Sequence, residues 1–159
     1  MPHPAHVARM SRPLGDQLER LPLASGWSLH TARPTERVAL AIAQAFEGEI
    51  ERVGDEYEVV MNFGSGGDGG APLEEASFMI VESDRIIGVC LVQLFGGVPE
   101  ISFLCTQSSV RRRGAAKALL SSSLRALTGA GHPEVVLFVN RTNWAAVKLY
   151  EQFGFIEDV

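Results

Sequence analysis

The sequence predicts a mixed α+β fold, and three observations carry that reading. Apolar segments joined by short turns follow one another between residues 77 and 106. A helical pattern then runs from Gly114 to Leu127. Val135 to Val139 is a continuous apolar run, followed by a second helical pattern that stops at Gly154. Strands with short connections form an antiparallel meander. A strand–helix–strand–helix unit adds a parallel pair through a right-handed crossover. The expected architecture is a central mixed, mostly antiparallel sheet flanked by helices.

In order along the chain, residues 1–24 are rich in Pro and Arg, show no sustained period and are expected to form a flexible tail, leaving one domain over 25–159. Trp27 to Ala32 alternates well enough for a first strand. Pro34-Thr35 then opens a helix whose Val38, Ala41, Ile42, Ala45 and Phe46 share one face. Residues 49–61 can hold a second, short helix. Residues 64–72 (GSGGDGGAP) lack the Gly-Lys-Ser/Thr ending of a phosphate loop and are expected to be a surface loop. Residues 77–81 and 86–95 form a hairpin across Glu82-Ser83-Asp84-Arg85, and a third strand runs from Glu100 to about Thr106. In the helix that follows, Ala116, Leu119, Leu120, Leu124 and Leu127 lie on one side, and Gly129 and Gly131 end it. The run at 135–139 suits a strand covered on both faces.

Composition narrows the function. A chain of 159 residues with 46% apolar and 21% charged residues suits one soluble domain. Its net charge of −5 and pI near 5.4 argue against a nucleic-acid partner, which needs a broad basic face. No stretch is apolar enough to cross a bilayer, and the first residues lack the apolar core of a secretory signal. Cys90 and Cys105 lie in apolar runs without CxxC spacing, so a metal site or disulfide is not expected. A cytoplasmic protein, monomeric or homodimeric and without a membrane partner, is expected.

The sharpest chemical signal is Val110-Arg111-Arg112-Arg113-Gly114-Ala115-Ala116, between a strand and a helix. Unpaired N–H groups at a helix start and the helix dipole favour an anion. The small residues at 114 and 116 let it approach the backbone. Each hydrogen bond to a charged oxygen contributes about 1.5–3 kcal/mol. Arg111, Arg112, Arg113 and Lys117 add four cations to an otherwise acidic chain. Taken alone, such a run reads as a solvated basic helix start or a small patch for an acidic partner; the strand–loop–helix setting and the two small residues reverse that preference.

A second signal lies about thirty residues on, in Asn143-Trp-Ala-Ala146-Val-Lys-Leu149-Tyr150-Glu-Gln-Phe153-Gly154-Phe155. Leu149, Phe153 and Phe155 read as core. Asn143 suits a helix N-cap. Arg111-x-x-Gly114-x-Ala116 and this segment, in this order, resemble the two signatures of the GCN5-related N-acetyltransferase superfamily. The resemblance covers residues 27–159 and is clearest over 77–155.

That resemblance implies a splayed parallel strand pair at the cofactor site and an N-acetyltransferase that uses acetyl-CoA. Arg111, Arg112, Arg113, Gly114, Ala115 and Ala116 would bind the coenzyme A diphosphate. Leu104, Cys105 and Thr106 would pair with the pantetheine arm through their backbone, Asn143 would bond the pantetheine or acetyl region, and Ala146 would also contact the cofactor. Tyr150 would also contact the cofactor, and would protonate the leaving thiolate. Glu100 opens an "EIxF" strand at the offset of the histone-acetyltransferase catalytic glutamate, so it is either the general base or a solvated strand end. Glu47, Glu49, Glu51 and His30 are weaker candidates for the base, and His132 reads as a loop residue. The acceptor would be an amine on a small molecule or peptide, attacked in a ternary complex. A non-catalytic acyl-CoA sensor would carry the same cofactor motifs, but need not keep Glu100 or Tyr150.

The sequence also departs from the family. Thr106-Gln107-Ser108-Ser109-Val110 has neither the usual Pro nor the aromatic residue. Arg112 stands where Gly is frequent. The chain stops soon after Gly154-Phe155, so a final strand is expected to be very short, absent or supplied by another chain.

Overall fold

In chain order, strand β1 spans Val7–Pro13, β2 Trp27–Thr31, helix α1 Glu36–Phe46, α2 Glu56–Met61, and β3 Ala71–Pro72. Then come β4 Phe78–Glu82, β5 Arg85–Phe95, β6 Val98–Thr106, α3 Ala115–Gly129, β7 Glu134–Asn140, α4 Trp144–Gln152 and β8 Ile156–Glu157. These elements come from a computed structural model that describes residues 4–49, 51–52, 54–63 and 70–158. Residues 64–69 of the glycine-rich segment fall outside the described residues.

Local chemistry sets the element boundaries. The Thr35 hydroxyl accepts from the Val38 N–H at 3.3 Å and caps α1. Asn143 caps α4 through Ala146 N–H at 3.4 Å. The hairpin between β4 and β5 turns through Ser83 and Asp84, both at positive φ (49° and 63°), as a right-twisted two-residue turn requires.

The described residues form an eight-stranded sheet in the order β2-β4-β5-β6-β7-β1-β8, with β3 paired to β5 off that path. All neighbours are antiparallel except β6 and β7. Apolar packing covers both faces. α3 and α4 bury Leu119, Leu120, Leu124, Leu127 and Tyr150 against one. α1 and α2 bury Val38, Ile42 and Val60 against the other. β5 runs between them and is buried over most of its length. A Cβ on Gly88 of β5 would stand 2.9 Å from Leu119 Cδ1, so the glycine lets α3 lie close on the sheet.

Residues 7–13 correct the expectation of a tail over 1–24. They form β1, registered with β7 from Val7↔Asn140 to Pro13↔Glu134. Ala8 and Met10 point into the core. Arg12, also inward, is 6% exposed. Its guanidinium is satisfied by the Asp16 carboxylate (2.6 and 3.0 Å), by the Pro13 carbonyl (2.8 Å) and by the Phe153 carbonyl. This buried cation interrupts the alternation that would otherwise mark the strand. The last strand is the very short one: Ser11↔Ile156 and Met10↔Glu157 pair β8 with β1, within the same chain.

Candidate active site

The parallel pairing of β6 with β7 holds only at Glu100↔Val136 and Ile101↔Leu137. Beyond Ile101 the two strands diverge. β6 continues to Thr106 on its β5 side, with an irregularity in register between Leu91 and Val92. The opening is a cavity of about 960 Å³, walled by residues 101–106 of β6, the loop before α3, one side of α4 from Ala145 to Tyr150 and the end of α1. Leu104, Cys105 and Thr106 therefore lie where a sheet strand lacks its partner, a backbone arrangement that an extended ligand can complete.

The loop before α3 forms one end of the cavity. Arg112 is left-handed at φ 65° and Gly114 at φ 86°. Two left-handed residues within three positions turn the backbone where it enters α3. Arg111, Arg112, Gly114, Ala115, Ala116 and Lys117 all line the cavity. The structure thus explains why Gly is frequent at the position of Arg112: the backbone there takes a conformation that costs an L-residue about 1–2 kcal/mol.

Arg113 is the exception. Its guanidinium carbon lies 4.9 Å from the centre of the Trp27 ring, and its Nη2 is 3.9 Å from Glu82 Oε2. The Trp27 indole N–H donates to the same Glu82 oxygen at 3.0 Å. Arg113 is absent from the cavity lining, and its side chain fastens the loop to β2 and β4.

At the other end stand Asn143, Ala146 and Tyr150 of α4. The Tyr150 ring packs edge-on against Phe155 (centroids 5.7 Å apart). Burial pushes its phenol well above the ordinary tyrosine value, and the negative forms of Cys90, Glu51 and Cys105 push the same way. The hydroxyl therefore keeps its proton throughout the neutral range. Burial also pushes the Cys105 thiol up, so it is a poor nucleophile.

Glu100 stands one residue before the cavity wall begins at Ile101. It is half-buried, and burial raises its carboxyl above the usual range against the opposing pull of Arg9. His30 sits on the edge strand β2, bonded to Ser28 Oγ at 2.8 Å, and His132 lies in the turn before β7. Glu47 is the residue after α1. Neither Glu100 nor any of these three lines the cavity.

Two acids from the segment between α1 and α2 do. Glu51 Oε1 accepts from the Asn140 backbone N–H at 2.8 Å and from Asn143 Nδ2 at 3.2 Å. Glu49 is ion-paired with Arg111. Sequence reading rates both as minor, because an acidic run normally marks only a solvated face, and partners 89 and 92 residues away leave no local pattern.

The splayed parallel pair and the loop before α3 together frame one opening in the sheet. The chain belongs to the acetyltransferase (GNAT) family, whose model matches residues 40–155. It is similar to a mycothiol acetyltransferase of Acidimicrobium ferrooxidans, 31% identical over 91 residues that make up 54% of this chain and 29% of the relative. It is also similar to an N-alpha-acetyltransferase 30 of Schizosaccharomyces pombe, 33% identical over 86 residues, 51% of this chain and 57% of the relative. The chain thus spans less than a third of the former's length and little more than half of the latter's. Among solved structures, a GCN5-related N-acetyltransferase from Sphaerobacter thermophilus superposes on 96% of this chain and 48% of its own, with a TM-score of 0.74 and 25% identity. The ribosomal-protein-S18-alanine N-acetyltransferase from Escherichia coli shares the fold over 84% of this chain and 79% of its own, with a TM-score of 0.66 and 21% identity.

Proposed function

We propose that the protein is an N-acetyltransferase that moves the acetyl group of acetyl-CoA to the amine of a small molecule or peptide within one ternary complex. The observation that carries this reading is the early end of β6–β7 pairing, which leaves an opening lined by the loop before α3 and by Tyr150. The cavity volume, the cations at one end and the small Ala115 and Ala116 fit a diphosphate joined to a long, narrow arm. Two relatives bear acetyltransferase names, one of them for an α-amine.

Acetyl-CoA supplies an activated acyl carbon and a thiolate leaving group. The chain's own groups do the rest. Backbone N–H groups at residues 112–116 and the Arg111 and Arg112 side chains hold the diphosphate. The β6 backbone at 104–106 aligns the arm. The neutral acceptor nitrogen attacks the acyl carbon, the carbon–sulfur bond breaks, the Tyr150 hydroxyl gives its proton to sulfur, and the proton shed by the acylated nitrogen restores the phenol.

The amine must first lose its own proton. A lysine-like amine of pKa about 10.4 costs roughly 4–5 kcal/mol to neutralise at pH 7. Glu100, directly or through water, is the base that takes the proton, and its raised carboxyl brings it nearer the operating pH. The free cysteines fit a reducing cytoplasm, and a β8 supplied by the same chain fits a monomer or a homodimer.

Thiol release from acetyl-CoA against a panel of amines tests the reading, with Glu100→Gln and Tyr150→Phe alongside. Amine-dependent release that falls in both variants supports it. Acetyl-CoA binding with no release for any amine overturns the enzymatic reading, and no binding overturns the site.

A further inference from the structure

Resting on the acetyl-CoA reading above, we infer that Glu49 is a positioning residue that occupies Arg111 until a diphosphate arrives, so that cofactor binding hands its carboxylate to the acceptor side. Glu49 and Arg111 form an ion pair, and both line the main cavity. Their side chains are 37% and 43% exposed, so the pair is weak enough to be exchanged. The Glu49 N–H donates to the Phe46 carbonyl at 3.0 Å, which fixes the residue to the end of α1. Two residues on, Glu51 grips the β7–α4 turn through Asn140 and Asn143. One short segment therefore touches both walls of the cavity, Arg111 on one side and α4 on the other.

The charges facing this pair within the cavity are Arg112 and Lys117 at the loop, and Glu51 and Glu56 toward α1 and α2. A diphosphate set against Arg111 competes for the guanidinium and repels the Glu49 carboxylate. Arg111 changes partner. Glu49 is left without its cation in a cavity that Glu51 and Glu56 also line, and the acceptor end of the cavity becomes more negative once the cofactor is in place. An ammonium-bearing acceptor is then held better with cofactor present. By linkage, the acceptor tightens the cofactor by the same factor.

Calorimetric titration of the full chain with coenzyme A at low ionic strength tests the exchange in the wild type, Glu49→Gln, Arg111→Ala and the double variant. Freeing an exposed ion pair should tighten coenzyme A about two- to five-fold in E49Q, and added salt should erase the gain. S-acetylpantetheine, which has no phosphate, should bind wild type and E49Q alike. In the Arg111→Ala background the E49Q gain should vanish. With an amine that the wild type turns over, E49Q should lower KM for acetyl-CoA and raise KM for the amine. Unchanged or weaker coenzyme A binding in E49Q overturns the inference. So does an equal gain for S-acetylpantetheine, a gain that survives without Arg111, or movement of both KM values in one direction. A wild type that binds no coenzyme A instead takes down the acetyl-CoA reading itself.

Discussion

Tyr150→Phe removes one oxygen and leaves the rest of the site standing. The ring stays buried and keeps its edge-on contact with Phe155 at 5.7 Å. Tyr150 lines the cavity, and losing its hydroxyl costs folding at most one ordinary hydrogen bond, about 0.5–1.5 kcal/mol. The chemical step depends on it far more. A positioned general acid typically contributes roughly 10²–10⁴-fold, or about 2.7–5.4 kcal/mol at 1.36 kcal/mol per tenfold. Stopped-flow thiol release should therefore show kcat reduced at least a hundredfold, with the acetyl-CoA Kd and the melting temperature nearly unchanged. An acetyl donor with a more acidic thiol needs less protonation and should narrow the gap. A kcat within threefold of wild type would refute the acid role. An equal loss with both donors would show that the hydroxyl acts on something other than the departing sulfur.

Four further substitutions have defined outcomes. Arg112→Gly relieves a φ of 65° at a position where an L-residue is strained, so it should raise stability by about 0.5–1 kcal/mol while weakening coenzyme A binding; thermal unfolding and calorimetry read the two effects. Arg113→Ala should cost about 0.5–1 kcal/mol of stability through its contact with Trp27 and change the coenzyme A Kd less than Arg111→Ala does. Met10→Ala should destabilise by about 2–5 kcal/mol in urea titration, because Met10 is 3% exposed within β1; a residue in a loose tail would show no effect. Glu100→Gln should remove the acidic limb of the kcat/KM–pH profile. It should also stabilise the fold at neutral pH. The folded carboxyl is raised, so it favours the native state below the unfolded value, and that contribution is lost as pH rises through the folded one. The stability gain of the variant should therefore fade as pH falls through the carboxylate range, as melting temperatures across pH will show.

The parts of this molecule legible in its sequence are those whose physics is local. The meander, α3, β7 and α4 each carry their own period, turn or cap, and the structure places them at nearly the expected residues: β4 at Phe78–Glu82, α3 at Ala115–Gly129, β7 at Glu134–Asn140. Leu104, Arg111, Gly114, Asn143 and Tyr150 come together for the same reason, since each lies at the end or start of an element the sequence marks. What escaped is set by distant partners. β1 is a strand only because β7 and β8 flank it and Asp16 neutralises an inward arginine. Three adjacent arginines read as one basic run, yet Arg113 turns to an indole 86 positions earlier in the chain while Arg111 turns to the cavity. The acidic segment before α2 reads as solvated surface, and only the fold reveals that Glu49 and Glu51 reach opposite walls of one opening. Charge composition is blind to that distinction because it counts carboxylates without fixing their partners. The partners separate the two: Glu49 is ion-paired with Arg111 at the loop before α3, whereas Glu51 holds Asn143, the cap of the helix that carries Tyr150.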